Sequence, residues 1–318
     1  PGADCVAWAP MFDFFARHRR PAADEVRDIQ FMTPSPGVSA QNHWATIYRQ
    51  QRVFEMSHVD LHLDPWRHHV TGTTDNVEVL GLNLPDLASD SLRVTVDDQS
   101  LAVLVPQDGM VWLEYRETWK SARAPDPAKK SPQRYGGFRD VFGNRVQLIV
   151  GTQGSAEETA WAWAKARYDA EYLWYQGNAS IDVLPDDLFD PAAAPDRNVV
   201  LYGNADTHAH WDALVSGVMR MQNGVFNLGE QQLQADDLGL LAVLPRPGST
   251  VASVGIISGS GLDGFRLTER RPYLKGGFAY PDLTLLEDRG DGTVVRGAGF
   301  FGNDWSVEHG EFIWADGF

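Results

Sequence analysis

Short apolar runs separated by polar turns make up most of the sequence between residues 27 and 123. Asp75-Asn76 and Asp108-Gly109 are two of these turns, and no stretch with helical periodicity lies between the runs. Regularly spaced short strands without intervening helices are typical of a β-sandwich. We therefore predict a β-sandwich-like domain over residues 27–123. Its predicted strands are residues 29–32, 43–49, 58–63, 69–73, 77–82, 92–96, 101–105 and 111–115.

A different pattern begins at residue 138, where strand-like and helix-like segments alternate. Residues 147–150 form an apolar run of the kind found in strands that are buried on both faces. Gly151 allows the chain to turn sharply, and Ser155 with Glu158 forms a capping box that starts a helix. Helical spacing predicts an aromatic face that packs on a sheet, comprising Trp161, Ala164, Tyr168, Tyr172 and Tyr175.

The remainder of the C-terminal half continues this alternation. Alternating strands and helices are typical of layered α/β domains. We predict an α+β two-domain chain, in which the β-sandwich-like domain is followed by a three-layer α/β domain (residues 138–318) with a mostly parallel sheet. Residues 124–137, rich in Pro, Lys and Gly, are predicted to form the linker. The further predicted elements are strands 180–183, 198–202, 238–244, 251–257, 283–286 and 297–301, helices 207–218 and 260–271, and a hairpin 225–233.

Charge and cysteine content narrow the classes of function. A net charge of -16 over 318 residues argues against binding to nucleic acid or to an anionic membrane surface. Cys5 is the single cysteine, so an intrachain disulfide is not possible. The sequence contains no apolar run long enough to span a bilayer and no signal segment, so we predict a soluble chain without membrane insertion. Its compartment is left open, including a secreted or periplasmic one if a signal peptide precedes it.

Four residues that follow apolar strands are candidates for lining a ligand crevice: Thr152, Asn204, Ser258 and Ser260. If their strands are parallel neighbours, the turns converge at one edge of the sheet. Residues 254–264 also invite comparison with the nucleophile elbow of α/β-hydrolases, but neither serine has the Gly-x-Ser-x-Gly spacing. The P-loop pattern is absent from the sequence as well. We therefore predict a structural role for the glycine-rich turns, with the crevice as a weaker alternative.

His58, Asp60 and His62 are the strongest candidate metal ligands, because they share one face of a predicted strand. The other interpretation is that they form the solvent-facing side of a half-buried strand, which requires polar residues in any case. We favour this second interpretation and predict no metal site and no cofactor. A metal-dependent enzyme that uses these three residues is kept as an alternative.

Several longer segments carry a resemblance to a known family. Residues 142–154 (FGNRVQLIVGTQG), 166–183 (ARYDAEYLWYQGNASIDV), 197–211 (RNVVLYGNADTHAHW) and 295–305 (VRGAGFFGNDW) resemble the C-terminal accessory region of prolyl-oligopeptidase-like serine hydrolases. Residues 58–84 resemble the sandwich-like segment that precedes this region. Residues 1–26, with an apolar helix inside residues 1–20, resemble the end of the α/β-hydrolase domain itself.

The resemblance implies that the catalytic domain lies upstream of this chain. The family's Gly-x-Ser-x-Gly serine, its acid and its histidine would all belong to that domain, so no catalytic residue is assigned here. The expected function is that of a non-catalytic part of a serine peptidase or esterase, inactive alone, which packs on the upstream α/β-hydrolase domain and shapes substrate access. A carbohydrate-binding accessory module that uses exposed tryptophans is the alternative from a different class.

Overall fold

The chain forms two compact units in the computed structural model, which describes residues 8–22, 25–215, 217–290 and 292–315. Cys5 and the rest of residues 1–7 lie outside the described part. Unit 1 comprises Pro1–Thr33, Ala40–Tyr48 and Met56–Arg123. Unit 2 comprises Pro34–Ser39, Arg49–Glu55 and Ala124–Phe318. Unit 1 ends at Arg123, and unit 2 also contains two segments that precede this position in the chain.

The described residues of unit 1 lie mainly in β-strands, and they also include a short α-helix and a 3-10 turn at Pro85–Leu87. Five strands form one sheet in the order β1-β4-β5-β7-β8, and five form another in the order β10-β9-β6-β3-β2. The prediction of a mainly β structure is therefore confirmed. The elements are α1 (Ala9–Arg17), β1 (Asp28–Thr33), β2 (Gln41–Asn42), β3 (Ala45–Gln50), β4 (Ser57–Asp64), β5 (His69–Asp75), β6 (Val77–Asn83), β7 (Ser91–Val96), β8 (Gln99–Leu104), β9 (Met110–Tyr115) and β10 (Trp119–Ala122).

Both sheets of unit 1 contribute to one hydrophobic core. Val59 and Leu92 from the first sheet and Ile47, Leu80 and Leu113 from the second belong to the same buried cluster. Alternate residues along a strand point to opposite faces, so each strand supplies apolar residues to this core from one face. This is why a period of two was visible in the sequence.

Unit 2 contains an eight-stranded sheet in the order β12-β11-β13-β18-β17-β19-β20-β21 and a three-stranded sheet in the order β14-β15-β16. Short 3-10 turns lie at Phe138–Phe142 and Asp186–Leu188. The elements are β11 (Val146–Val150), α2 (Ala156–Gly177), β12 (Asp182–Pro185), β13 (Asn198–Tyr202), α3 (Trp211–Leu214), β14 (Met219–Gln222), β15 (Val225–Leu228), β16 (Gln231–Gln234), β17 (Leu238–Pro245), β18 (Ser253–Gly259), α4 (Leu262–Leu267), β19 (Leu283–Asp288), β20 (Thr293–Phe300) and β21 (Glu311–Trp314).

The large sheet is mixed, which corrects the prediction of a mostly parallel sheet. Strands β12, β11, β13 and β18 run parallel, whereas β17, β19, β20 and β21 each pair antiparallel with their neighbours. On one face, Val200 and Tyr202 pack in a cluster with Trp161 of α2. On the other face, Leu201 packs in a cluster with Met221 of β14. One face is therefore covered by helices and the other largely by the small sheet, so a helix–sheet–helix arrangement is not confirmed.

Helix α2 begins where the sequence predicts. Ser155 accepts a hydrogen bond from the Glu158 amide, and the Glu158 carboxylate accepts one from the Ser155 amide, which completes the capping box. The predicted aromatic face is wrong, because Tyr168 and Tyr175 are 59% and 77% exposed. The residues of α2 that are buried instead are Trp161, Ala162, Lys165, Ala166 and Asp169. Among the described residues, none of the helices is long and apolar enough to cross a lipid bilayer.

The segment expected to be a linker is packed into unit 2. Lys130 and Arg134 are both almost fully buried. Lys130 Nζ lies 2.6 Å from Asp282 Oδ2, and Arg134 Nη1 donates hydrogen bonds of 2.9 Å to the carbonyls of Ser249 and Ala252. Cations and prolines without apolar periodicity are typical of a solvated segment, but here the cations are tied to buried acceptors. The segment is therefore part of the folded unit.

Candidate functional site

Two of the four crevice candidates are held by hydrogen bonds inside the fold. Thr152, directly after β11, donates from Oγ1 to Asp186 Oδ1 at 2.5 Å, and the Ala209 amide donates to Asp186 Oδ2 at 2.7 Å. Asn204, after β13, donates from Nδ2 to Gly259 O at 2.9 Å and is fully buried. These bonds fix the turns at the carboxyl edge of the parallel strands, and they use the polar groups that a ligand would need.

The two serines are also fully buried, and their glycine-rich turn has a packing role. Ser260 Oγ accepts a hydrogen bond of 3.0 Å from the Leu238 amide, whereas Ser258 Oγ has no hydrogen-bond partner among the residues that the structure describes, and thus no base there to activate it. A Cβ at Gly259 would overlap backbone atoms of Gly264 and Phe265. The glycines therefore let α4 lie directly against β17 and β18.

His208 is a buried titratable group at this edge of the sheet. Its Nδ1 accepts a hydrogen bond of 3.2 Å from the His210 amide. Its Nε2 has no hydrogen-bond partner among the described residues. Burial lowers the pKa of His208 to about 4, although the nearby Asp186 carboxylate acts in the opposite direction. His208 is therefore uncharged at neutral pH in the folded protein.

The folded protein should lose stability on acidification because of His208. Its pKa falls from the ordinary 6.5 to about 4 on folding, so the unfolded chain binds more protons between these values. Stability is therefore fully present above pH 6.5 and declines as the pH falls towards 4, by up to about 3 kcal/mol. His208→Asn, which keeps an acceptor for the His210 amide, should remove this part of the pH dependence. Urea unfolding of both proteins at pH 7, 5.5 and 4.5 measures it, and equal pH slopes would contradict the prediction.

The candidate metal residues form one row on the outer face of β4, as the alternation predicts. Asp60 Oδ2 accepts a hydrogen bond of 2.9 Å from Gln30 Nε2, and His62 Nδ1 lies 2.6 Å from Asp28 Oδ1. Each of these two side chains is thus paired with a residue of the neighbouring strand β1. Among the residues that the structure describes, no group of three or more His, Cys, Asp or Glu side chains is arranged to hold a metal ion.

Ser306, His309 and Asp304 form a cluster with the composition of a catalytic triad. Ser306 Oγ and Asp304 Oδ2 lie 3.2 Å and 2.8 Å from the same ring atom, His309 Nδ1. A triad requires the serine on one ring nitrogen and the acid on the other. Ser306 Oγ also donates to Asp304 Oδ1 at 2.7 Å. The cluster is therefore an exposed turn stabilised by its own side chains.

A buried polar network that the sequence analysis missed lies between α2 and the sheet. Lys165 Nζ is 2.6 Å from Asp169 Oδ1 and 2.5 Å from the Tyr273 hydroxyl oxygen. The hydroxyls of Tyr202 and Tyr273 both donate to Asp169 Oδ2, at 2.8 Å and 2.5 Å. The signal in the sequence was the i, i+4 spacing of Lys165 and Asp169 on the same helical face as Trp161.

Burial dominates the electrostatics of this network. It lowers the pKa of Lys165, while the Asp169 carboxylate acts in the opposite direction. Burial, with the Asp169 carboxylate, raises the pKa of Tyr202 and of Tyr273 well above the usual value. Both phenols therefore stay protonated and serve as hydrogen-bond donors to the carboxylate over the physiological pH range.

Two cavities adjoin this network. The larger, about 560 Å³, is lined by Trp161, Ala164, Lys165, Tyr168, Glu269 and Arg270. The smaller, about 170 Å³, is lined by Tyr168, Asp169, Tyr172 and residues 269–275. Because Tyr168, Glu269 and Arg270 belong to both, the cavities share one wall.

Aromatic rings, charged groups and a lysine with an unused hydrogen-bond donor lie next to the cavity, and such groups suit the binding of a small polar ligand. This makes the cavity wall, rather than the predicted crevice, the best candidate site in the described part of unit 2.

No model of a known protein family matches the sequence, and no curated protein is significantly similar to it.

Proposed function

We propose that this chain is the non-catalytic C-terminal part of a prolyl-oligopeptidase-like serine hydrolase, a peptidase or an esterase. It packs on the catalytic α/β-hydrolase domain and shapes the access of substrate. The resemblance of the segments quoted above supports this proposal. The parallel half of the sheet in unit 2, with α2 and α4 on one face, supports a relation of this unit to three-layer α/β domains.

Helix α1 is the observation that carries the proposal. Trp8, Phe12, Phe14 and Phe15 are between 54% and 62% exposed, and no residue of α1 is buried. A cluster of four large exposed aromatic side chains on a helix and the residue before it is typical of a protein–protein interface. The same stretch resembles the end of the hydrolase domain, so that domain is the partner we propose.

The serines already described support a non-catalytic role. Within the described part of the chain, Ser258 has no hydrogen-bonded base, and Ser306 shares a single ring nitrogen of His309 with Asp304. The chain alone should therefore not hydrolyse p-nitrophenyl esters or proline-containing peptides above background. Turnover that Ser258→Ala, Ser260→Ala or Ser306→Ala abolishes would overturn the proposal.

Contact through α1 can be tested with the catalytic α/β-hydrolase domain that we propose as the partner. Produced separately, that domain should bind the chain, and the double variant Phe12→Ser/Phe15→Ser should weaken binding by about tenfold or more, because buried aromatic residues dominate such interfaces. Met32→Ser is the matched control, since Met32 is an exposed apolar residue on β1. Isothermal titration calorimetry measures the affinities. Equal weakening by both variants, or no binding by the unaltered chain, would contradict the proposed contact.

A further inference from the structure

The larger cavity beside α2 contains hydrogen-bonding capacity that the protein itself does not use. A lysine ammonium group has three donors. Lys165 uses two of them, towards Asp169 and Tyr273, and makes no further hydrogen bond within the described part of the chain. Because Lys165 lines the cavity, a ligand oxygen there can accept the third hydrogen bond.

Positive charge is concentrated at these cavities in a chain whose net charge is -16. The linings of the two cavities include four cationic side chains, Lys165, Arg270, Arg271 and Lys275, against two carboxylates, Asp169 and Glu269. Asp169 is already neutralised by Lys165 at 2.6 Å. The remaining excess of positive charge favours an anionic ligand.

Arg270 is the best placed of these cations to bind an anion. It lines both cavities, and its guanidinium group makes no hydrogen bond or ion pair with the described residues. A free guanidinium group presents a planar pair of donors that matches a carboxylate. Arg270 and Lys165 both line the larger cavity, so a carboxylate bound there can accept hydrogen bonds from both.

The other lining groups suit a hydroxylated ring. The Tyr168 ring is 59% exposed at the shared wall, and Lys165 Nζ lies over it at 5.4 Å from the ring centroid, so the exposed part of the ring can pack against the C–H groups of a sugar. The Glu269 carboxylate, which also makes no side-chain hydrogen bond among the described residues, can accept hydrogen bonds from hydroxyl groups. If the ligand were an aromatic carboxylate without hydroxyl groups, it could not donate a hydrogen bond to the Glu269 carboxylate.

We propose that this cavity binds a small sugar acid, with its carboxylate on Arg270 and Lys165, its hydroxyl groups on Glu269 and its ring on Tyr168. The site is separate from α1 and does not depend on the proposed role beside a hydrolase. It also differs from the surface of exposed tryptophans that the carbohydrate-binding alternative invokes.

Isothermal titration calorimetry of the 318-residue chain with D-glucuronate tests the site. We expect saturable binding, at least about tenfold weaker binding of D-glucose, and no competition by acetate at equal concentration, because both the anion and the ring contribute. Arg270→Gln should weaken D-glucuronate binding by about tenfold, the effect of losing one charge-assisted contact. Ala164→Leu, which adds volume at the exposed cavity wall, should weaken it as well.

Arg167→Gln is the matched control, because Arg167 is exposed on α2 and does not line either cavity. It should bind D-glucuronate like the unaltered chain, and circular dichroism should show that all three variants keep the fold. No saturable binding up to about 10 mM D-glucuronate would overturn the proposal. Equal binding of D-glucose, full competition by acetate, or equal weakening by Arg167→Gln would overturn it too.

Discussion

Replacing Lys165 with Met is expected to lower the free energy of unfolding by about 3–5 kcal/mol, because the Asp169 carboxylate then stays buried without its cation. Both side chains are at most 4% exposed, so water does not screen the loss. Tyr202 and Tyr273 would still donate hydrogen bonds to the carboxylate, but two neutral donors do not replace a positive charge at 2.6 Å. This network joins α2 to β13 and to the segment after α4.

A double-mutant cycle separates the charge effect from the packing effect. Lys165→Met/Asp169→Asn removes both charges and keeps an acceptor for one phenol, so it should be less destabilised than the sum of the single variants. Arg167→Met on the exposed face of α2 should change stability by no more than about 0.5 kcal/mol. Urea unfolding followed by far-UV circular dichroism measures the unaltered chain, the single variants Lys165→Met and Asp169→Asn, the double variant and the Arg167→Met control. Additive losses in the cycle would show that Lys165 and Asp169 are not energetically coupled.

Asp282→Ala should be the most destabilising of the substitutions considered, at about 5 kcal/mol, because it removes a buried carboxylate that accepts hydrogen bonds from three donors. Asp282 accepts hydrogen bonds from Lys130 Nζ at 2.6 Å, from the Gly137 amide at 2.5 Å and from the Phe301 amide at 3.0 Å. Burial raises the pKa of Asp282, and the Lys130 ammonium group acts against that rise. Without the carboxylate, Lys130 would be a buried charge without its ion-pair partner, although the rings of Trp305 at 5.0 Å and Phe300 at 5.5 Å would still lie near its ammonium group.

Asp263→Ala is the control for this substitution, because its carboxylate is 81% exposed and pairs with Arg266 on the surface of α4. Exposed ion pairs of this kind contribute about 0–1 kcal/mol. The urea midpoint of Asp263→Ala should therefore stay close to that of the unaltered chain, whereas that of Asp282→Ala should fall strongly. If Asp282→Ala lost less than about 1 kcal/mol, residues 124–137 would not be an integral part of unit 2.

The sequence predicts much of the secondary structure, because local rules decide it. Strand β13 has the predicted bounds, and the Ser155 capping box starts α2 as expected. The helix predicted at residues 207–218 is wrong, since α3 covers only Trp211–Leu214 and the chain enters β14 at Met219. Its apolar spacing results from packing on the sheet, where tertiary contacts override the helical pattern.

The candidate site was harder to predict, because its groups meet only in three dimensions. Lys165 and Asp169 occupy core positions of α2, whereas a pattern analysis assigns charged residues to the solvent face. Their partners Tyr202 and Tyr273 follow 33 and 104 residues after Asp169. The cations of residues 124–137 were assigned to a linker for the same reason, because Asp282, the ion-pair partner of Lys130, lies 152 residues later in the chain.

The assignment of Arg49–Glu55 to unit 2 has a consequence for folding during synthesis. The Val53 amide donates a hydrogen bond of 2.8 Å to Glu311 Oε1, a residue 258 positions later in the chain. A ribosome that adds about 5–20 residues per second needs on the order of tens of seconds to supply that partner. During this interval the segment between β3 and β4 lacks its final contacts in the nascent chain. Chaperones would have access to the segment during this period.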